Sequence, residues 1–348
     1  MTSLHSVVRD TDIAADDASD RRPRAQRQPT AVARNRTAWS HISKLGTVAF
    51  LIALVAAGPL VSPHFLDTGN LRNILSQNAP IGLIAIGMTF VMIGGGFDLS
   101  VGSIVALSSV TFAKIAVTHG TSVALAAALV VGFGLGVVNG LLVTRLRLNP
   151  FVATLATASI YSGIAYVVSD SRPIVVTAAG FQTIGQERVW GIPISVLITF
   201  AAFVVAGMVL SRTVFGHLLF ATGGNVEAAR LAGIRIDRVR VLSYASVGTM
   251  SALAGVVLSS RLGVGQANIG SNMTLDAITI VVIGGTSLFG GEGAIWRTAV
   301  GLLLLGVIVN IAGSRGWSGN VEDIVKGAVL LLAVGIDVLA RRVRGHRT

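Results

Sequence analysis

The chain of 348 residues contains no cysteine, which excludes disulfides, thiolate metal sites and a cysteine nucleophile. Charge is scarce as well: Asp, Glu, Lys and Arg make up 12% of residues, roughly half of what a soluble domain carries. Aromatic residues reach 6%, too few for a membrane barrel with aromatic girdles. Lysine occurs three times, at Lys44, Lys114 and Lys326, and none completes the G-x-x-x-x-G-K-[ST] loop that cradles nucleotide phosphates. Binding of ATP by that route is excluded. His5, His41, His64, His119, His217 and His346 are scattered without metal-ligand spacing. A G-x-S-x-G nucleophile elbow is missing. Asp98, Asp276, Asp323 and Asp337 stand in apolar surroundings without the motifs of a paired-aspartate protease. The sequence reads as a non-enzyme without bound cofactor or metal.

What fills the chain instead is apolar: 52% hydrophobic residues, a mean hydropathy of +0.75 and 41 glycines. Surface without charge must face something other than water, so an all-α polytopic membrane protein is predicted. Apolar runs at 45–61, 80–94, 101–117, 122–143, 150–169, 193–210, 240–260, 276–289, 297–313 and 322–340 predict about ten spans. The net charge of +11 invites a nucleic-acid reading, but its distribution is topological. Loops 1–44, 144–149, 211–239 with Arg240, and 341–348 hold eight, two, five and four of the 27 basic residues. The opposite loops, 62–79, 118–121, 170–192, 261–275 and 314–320, hold five. Basic loops stay inside, so both termini are expected in the cytoplasm. No cleavable leader is expected. Residues 1–43 read as a disordered cytoplasmic tail, 44–342 as the membrane domain and 343–348 as a short basic tail.

Two stretches interrupt the apolar pattern. "TFVMIGG" at 89–95 is followed by the break "GFDLSVGS", and "TIVVIGG" at 279–285 by "TSLFGGEG". The match at an offset of 190 residues predicts a parallel internal repeat, with interrupted helices near 94–102 and 284–293. Irregular backbone at membrane depth must be enclosed by protein or line water. Gly94, Gly95, Asp98, Ser100, Gly284 and Gly285 are therefore candidate pathway residues. For Asp98, a helix cap or a partner to a cation competes with a role in the pathway. Gly132, Gly136 and Gly140 share one helix face and predict close helix packing, within the chain rather than across a dimer.

In the loop 211–239, Asn225 is a good N-cap for "VEAARLAG", Glu227 suits its first turn and Gly233 ends it. Such a helix is either an ordinary loop helix or a docking element.

Five motifs in this order, "GGGFDLSVGS", "NPFVATLAT", "FGHLLFATGGNVEAARLAGI", "LDAITIVVIGGTSLFGGEGA" and "VEDIVKGAVLLLAV", resemble the membrane permeases of ATP-driven sugar importers of the ribose/xylose/galactose group. The resemblance covers about residues 44–342. It implies a translocation subunit in the bacterial cytoplasmic (inner) membrane. A separate ATP-binding-cassette ATPase would consume the ATP, a periplasmic or lipid-anchored sugar-binding protein would deliver the cargo, and a second permease chain would complete the pathway, as a homodimer. Membrane lipid is an implied partner and nucleic acid is not. Asn225, Glu227, Ala228, Ala229, Arg230 and Gly233 match the helix that couples such permeases to the ATPase. Thr274 stands where the family commonly has an acid, which puts a charge-dependent role there in doubt. An ion-coupled secondary transporter of a small polar solute is the alternative.

Overall fold

The computed structural model describes residues 31–345, with side chains described over 46–335. The chain separates into units 1–43 and 44–348. Most of the predicted tail lies outside the described residues; its last part, from Ala31, forms the start of the first helix, α1 (Ala31–Val61). Of the basic tail at 343–348, residues 346–348 lie outside them too.

After α1 come α2 (Thr68–Ile93), α3 (Val101–His119), α4 (Thr121–Thr144) and α5 (Pro150–Val168), which run back and forth. The short elements β1 (Ile174–Val175), α6 (Thr183–Gln186), β2 (Arg188–Val189) and β3 (Ile192–Pro193) lead into the second half. There α7 (Ile194–Arg212), α8 (Val214–Gly224), α9 (Val226–Leu231) and α10 (Ile236–Leu262) are followed by β4 (Val264–Gly265), α11 (Met273–Ile283), α12 (Ile295–Ser314) and α13 (Gly319–Gly345). Each of the ten apolar runs lies on a helix over most of its length, so the all-α polytopic expectation holds. Among the described residues seven helices, α2 to α5, α7, α10 and α12, are long and apolar enough to cross a bilayer. The antiparallel ladders β1–β4 and β2–β3, two residues each, have no counterpart in the sequence expectations, and neither does α8.

The core is α2, α3 and α10, whose apolar windows are largely enclosed by the other helices. Glycines set the spacing. A Cβ on Gly132, Gly136 or Gly140 of α4 would overlap or crowd Ala252, Tyr244 and Val241 of α10 respectively. The predicted small-residue face thus packs inside the chain. Pro80 has no N–H to give the Ser76 carbonyl within α2. Arg261, at the end of α10, donates to that carbonyl instead, at 3.3 Å.

The same helix ending occurs at both breaks. Gly95 donates to the Met92 carbonyl and Gly96 to that of Val91, both at 3.0 Å; Gly285 donates to Val282 at 2.8 Å and Thr286 to Val281 at 3.1 Å. Gly95 (φ 77°) and Gly285 (φ 76°) supply the left-handed residue this motif requires. One turn or so earlier, Thr89 donates to Ala85 and Thr279 to Leu275, both at 2.7 Å. The repeat is therefore three-dimensional at an offset of 190.

Candidate functional site

The two breaks open at the arginine-rich end of the bundle, and the first then climbs back inside it to Ser100 and Gly102. α2 runs 26 residues, about 39 Å at the helical rise, before its break, and so has already crossed the hydrocarbon. Gly94, Gly95 and Gly96 line a cavity of about 890 Å³ with Arg145, Arg147, Arg230, Asp237 and Arg240. Gly284 lies against the Arg297 backbone in the second break and is buried, and Gly285 is exposed.

Behind that cavity wall, Asp98 and Ser100 are fully buried. Asp98 Oδ1 accepts from the Ser100 N–H at 2.8 Å and from its Oγ at 2.6 Å, and Oδ2 accepts from Asn139 Nδ2 at 3.2 Å. Asn139 also donates to Ser100 Oγ at 2.7 Å, and accepts from Tyr161 Oη at 3.1 Å. Leu99 N–H donates to Thr154 at 3.0 Å, and Tyr244 Oη to the Phe97 carbonyl at 2.9 Å. The break is thereby fastened to α4, α5 and α10. Asp98 is neither a cap of α3 nor an ion-pair partner among the described residues; it is the hub of an internal polar lock. Asp98→Ala leaves the Ser100 and Asn139 donors unsatisfied, at a cost of about 1–3 kcal/mol each. A lower thermal midpoint in detergent is expected, with Asp98→Asn losing less. Equal melting of Asp98→Ala and the native chain would contradict the lock.

Irregular backbone at mid-depth occurs elsewhere, in a stretch the sequence assigned to an outer loop. From β4 onward, residues 264–272 run down the flank of α3. A Cβ on Gly265 would crowd Ala113, and the Gln266 N–H donates to Ser109 Oγ at 3.2 Å. A Cβ on Gly102 would sit 2.5 Å from the Gly270 carbonyl oxygen, and the Gly102 N–H donates to Thr274 Oγ1 at 3.3 Å. From Ala113 to Gly102 the helix falls about 16 Å. Thr274, the departure from the family pattern, therefore has a structural job at the foot of this re-entrant segment.

α11 then begins inside the bundle as a half-length helix. A Cβ on Gly301 would overlap Ile280, one on Gly82 would crowd Leu302, and one on Gly306 would crowd Asn78. Asp276, one turn above Ile280, is consequently level with 78–82, the middle of α2. There Lys326 of α13 pairs with Asp276 at 3.2 Å and with Asp323 at 3.4 Å, and Asn272 donates to Asp323 at 3.4 Å. Charged groups this deep are costly unless they pair and face protein or water. The sequence marks these acids as candidates but carries no signal for their convergence.

At the inner face, α9 matches its expectation. Asn225 Oδ1 accepts from the Ala228 N–H at 2.9 Å, Glu227 pairs with Arg230 at 2.8 Å, and Gly233 (φ 78°) closes the helix. Ala228 is exposed with Glu227 and Arg230, whereas Ala229 is buried and anchors the helix, so it offers no outward contact. Leu231 is 89% exposed. Gly223 and Gly224 end α8, and the turn falls at Asn225. Gly223 wedges between the two breaks: a Cβ there would overlap the Ile93 carbonyl oxygen, which accepts from the Gly291 N–H at 2.9 Å.

Broken and re-entrant helices, a paired charge cluster at mid-depth and a capped helix on the basic face define a multi-pass membrane permease. The chain belongs to the family described as "Branched-chain amino acid transport system / permease component", whose model matches residues 70–334. It is 43% identical over 302 residues to the ribose import permease protein RbsC of Bacillus subtilis (strain 168), covering 85% of this chain and 93% of that one. With the Escherichia coli (strain K12) ribose import permease protein RbsC the identity is 38% over 292 residues, covering 82% and 91%. With the L-arabinose transport system permease protein AraH of the same strain it is 35% over 300 residues, covering 86% and 90%. No solved structure gives a significant match.

Proposed function

We propose that this chain is the membrane-spanning subunit of an ATP-driven importer in the bacterial inner membrane and that its cargo is a monosaccharide of the pentose type. The observation that carries this is the similarity to ribose and arabinose permeases, 34–43% identity across 82–88% of the chain. The family description mentions branched-chain amino acids, but a zwitterion needs fixed counter-charges, and the relatives named favour sugar. None of those relatives is an ion-coupled transporter, so that alternative is dropped. ATP hydrolysis belongs to a separate ATPase, delivery to a sugar-binding protein, and a second copy of the chain completes the pathway.

The outward face of α9 supports the ATPase assignment: an exposed leucine beside an opposed charge pair, on a rigidly capped helix, is a small docking surface. Leu231→Asp with Glu227→Arg should leave insertion intact, release the ATPase on purification and cut ATP-driven uptake of labelled ribose or arabinose into vesicles by about tenfold or more, as for loss of interface anchors. Full uptake with the ATPase retained would overturn the docking role.

A further inference from the structure

The re-entrant segment presents one face to α3 and leaves the other open. Toward α3 lie Gly265, Ala267 and Gly270, small or buried. On the open side Asn268, Ser271 and Asn272 are exposed. The Asn268 and Ser271 side chains have no hydrogen-bond partner among the described residues. Lipid offers none either, and irregular backbone against acyl chains would add unsatisfied peptide groups to the cost. An open polar face at this depth must therefore border an aqueous conduit.

Its chemistry is specific. Two primary amides and a hydroxyl provide both donors and acceptors, matching a solute with many hydroxyl groups and no charge. At the foot of the segment Asp276, Asp323 and Lys326 satisfy one another and sum to one negative charge, which repels anions. We propose that this face, Asn268, Ser271 and Asn272 above the Asp276–Lys326–Asp323 cluster, is the contact surface for the transported solute and takes an uncharged polyhydroxylated molecule. This rests on the importer reading and adds the place and charge preference of the cargo.

The absence of cysteine permits a direct test. Single cysteines replace Asn268, Ser271 or Asn272, with Val130 and Val204 as exposed apolar controls and Trp190, 95% exposed in the outer loops, as the wet control. Vesicles holding the assembled transporter are treated with a water-soluble maleimide. Reaction at 268, 271 and 272 is expected to be roughly tenfold or more faster than at 130 and 204, because thiolate forms only where water reaches. Ribose or arabinose, whichever the native chain transports, should slow labelling at 268 and 272, and ribose 5-phosphate should not. Inert cysteines at 268, 271 and 272 beside a reactive Trp190→Cys would overturn the conduit face. Labelling that the transported sugar leaves unchanged, or that the phosphate slows equally, would overturn the contact or its charge preference. Failure of the native chain to transport either pentose would sink the pentose reading alone, since the wet face is read from labelling.

Discussion

For the importer proposed above, Gly223→Ala is expected to cut sugar uptake sharply while the chain still inserts and still binds the proposed ATPase. The wedge at Gly223 joins three backbone segments: the end of α2, the second break and the last turn of α8. A methyl group there overlaps the Ile93 carbonyl oxygen and comes within 2.7 Å of the Gly291 nitrogen. Backbone cannot swing aside as a flexible side chain does, so the Gly291-to-Ile93 hydrogen bond must open. Forcing extra volume into such a contact costs about 1–3 kcal/mol, and the lost bond about 1 more. The wedge lies just before α9, so under the proposed docking role a push on α9 would reach both breaks through it. Uptake should fall at least about tenfold, the equivalent of 1.4 kcal/mol or more in the coupling step. Gly224→Ala is the internal control, because nothing lies within 4 Å of a Cβ there. Wild-type uptake in Gly223→Ala, or equal damage from Gly224→Ala, would remove the wedge from the coupling route.

Removing Lys326 should destabilise the bundle. Its ammonium lies between Asp276 and Asp323, with side chains of Lys326 and Asp276 only 18% and 21% exposed. Lys326→Met leaves the Asp276 carboxylate at mid-depth without a cation. Breaking a buried pair from one side costs about 3–5 kcal/mol, and partial exposure places this one at or below the lower end. A fall of about 5 °C or more in the thermal midpoint is expected in lipid nanodiscs. Lys326→Met combined with Asp276→Asn should recover most of it, since the stranded charge is gone. A single variant that melts like the native chain would show that water, not Lys326, solvates Asp276.

Much of this was legible in the sequence, for identifiable reasons. Helices were visible because a bilayer-spanning run leaves a long compositional trace. The Gly132, Gly136 and Gly140 face was visible because four-residue spacing is a property of one helix. Asn225 and Gly233 announced α9 through local capping chemistry. Depth was not legible: "GVGQANIGSN" has the composition of an outer loop, and its descent along α3 is fixed by contacts with Gly102 and Ser109, which are distant in the chain. Asp98 could be flagged but not interpreted, since its partner Asn139 belongs to another helix. The wedge at Gly223 was not legible either, because a sequence shows that a residue is small without showing what presses against it.

The strap of chain along α3 also dictates an order of events at the ribosome. α3 leaves the exit tunnel with Ser109 still lacking both Ser259 and the Gln266 N–H, which lie 150 and 157 residues further along the chain. At ordinary translation speeds that interval lasts roughly 10–30 s. Throughout it, a helix flank bearing an uncovered hydroxyl and the bare notch at Gly102 must wait in the insertion machinery or beside α4, unfinished until the second half of the chain comes to cover it.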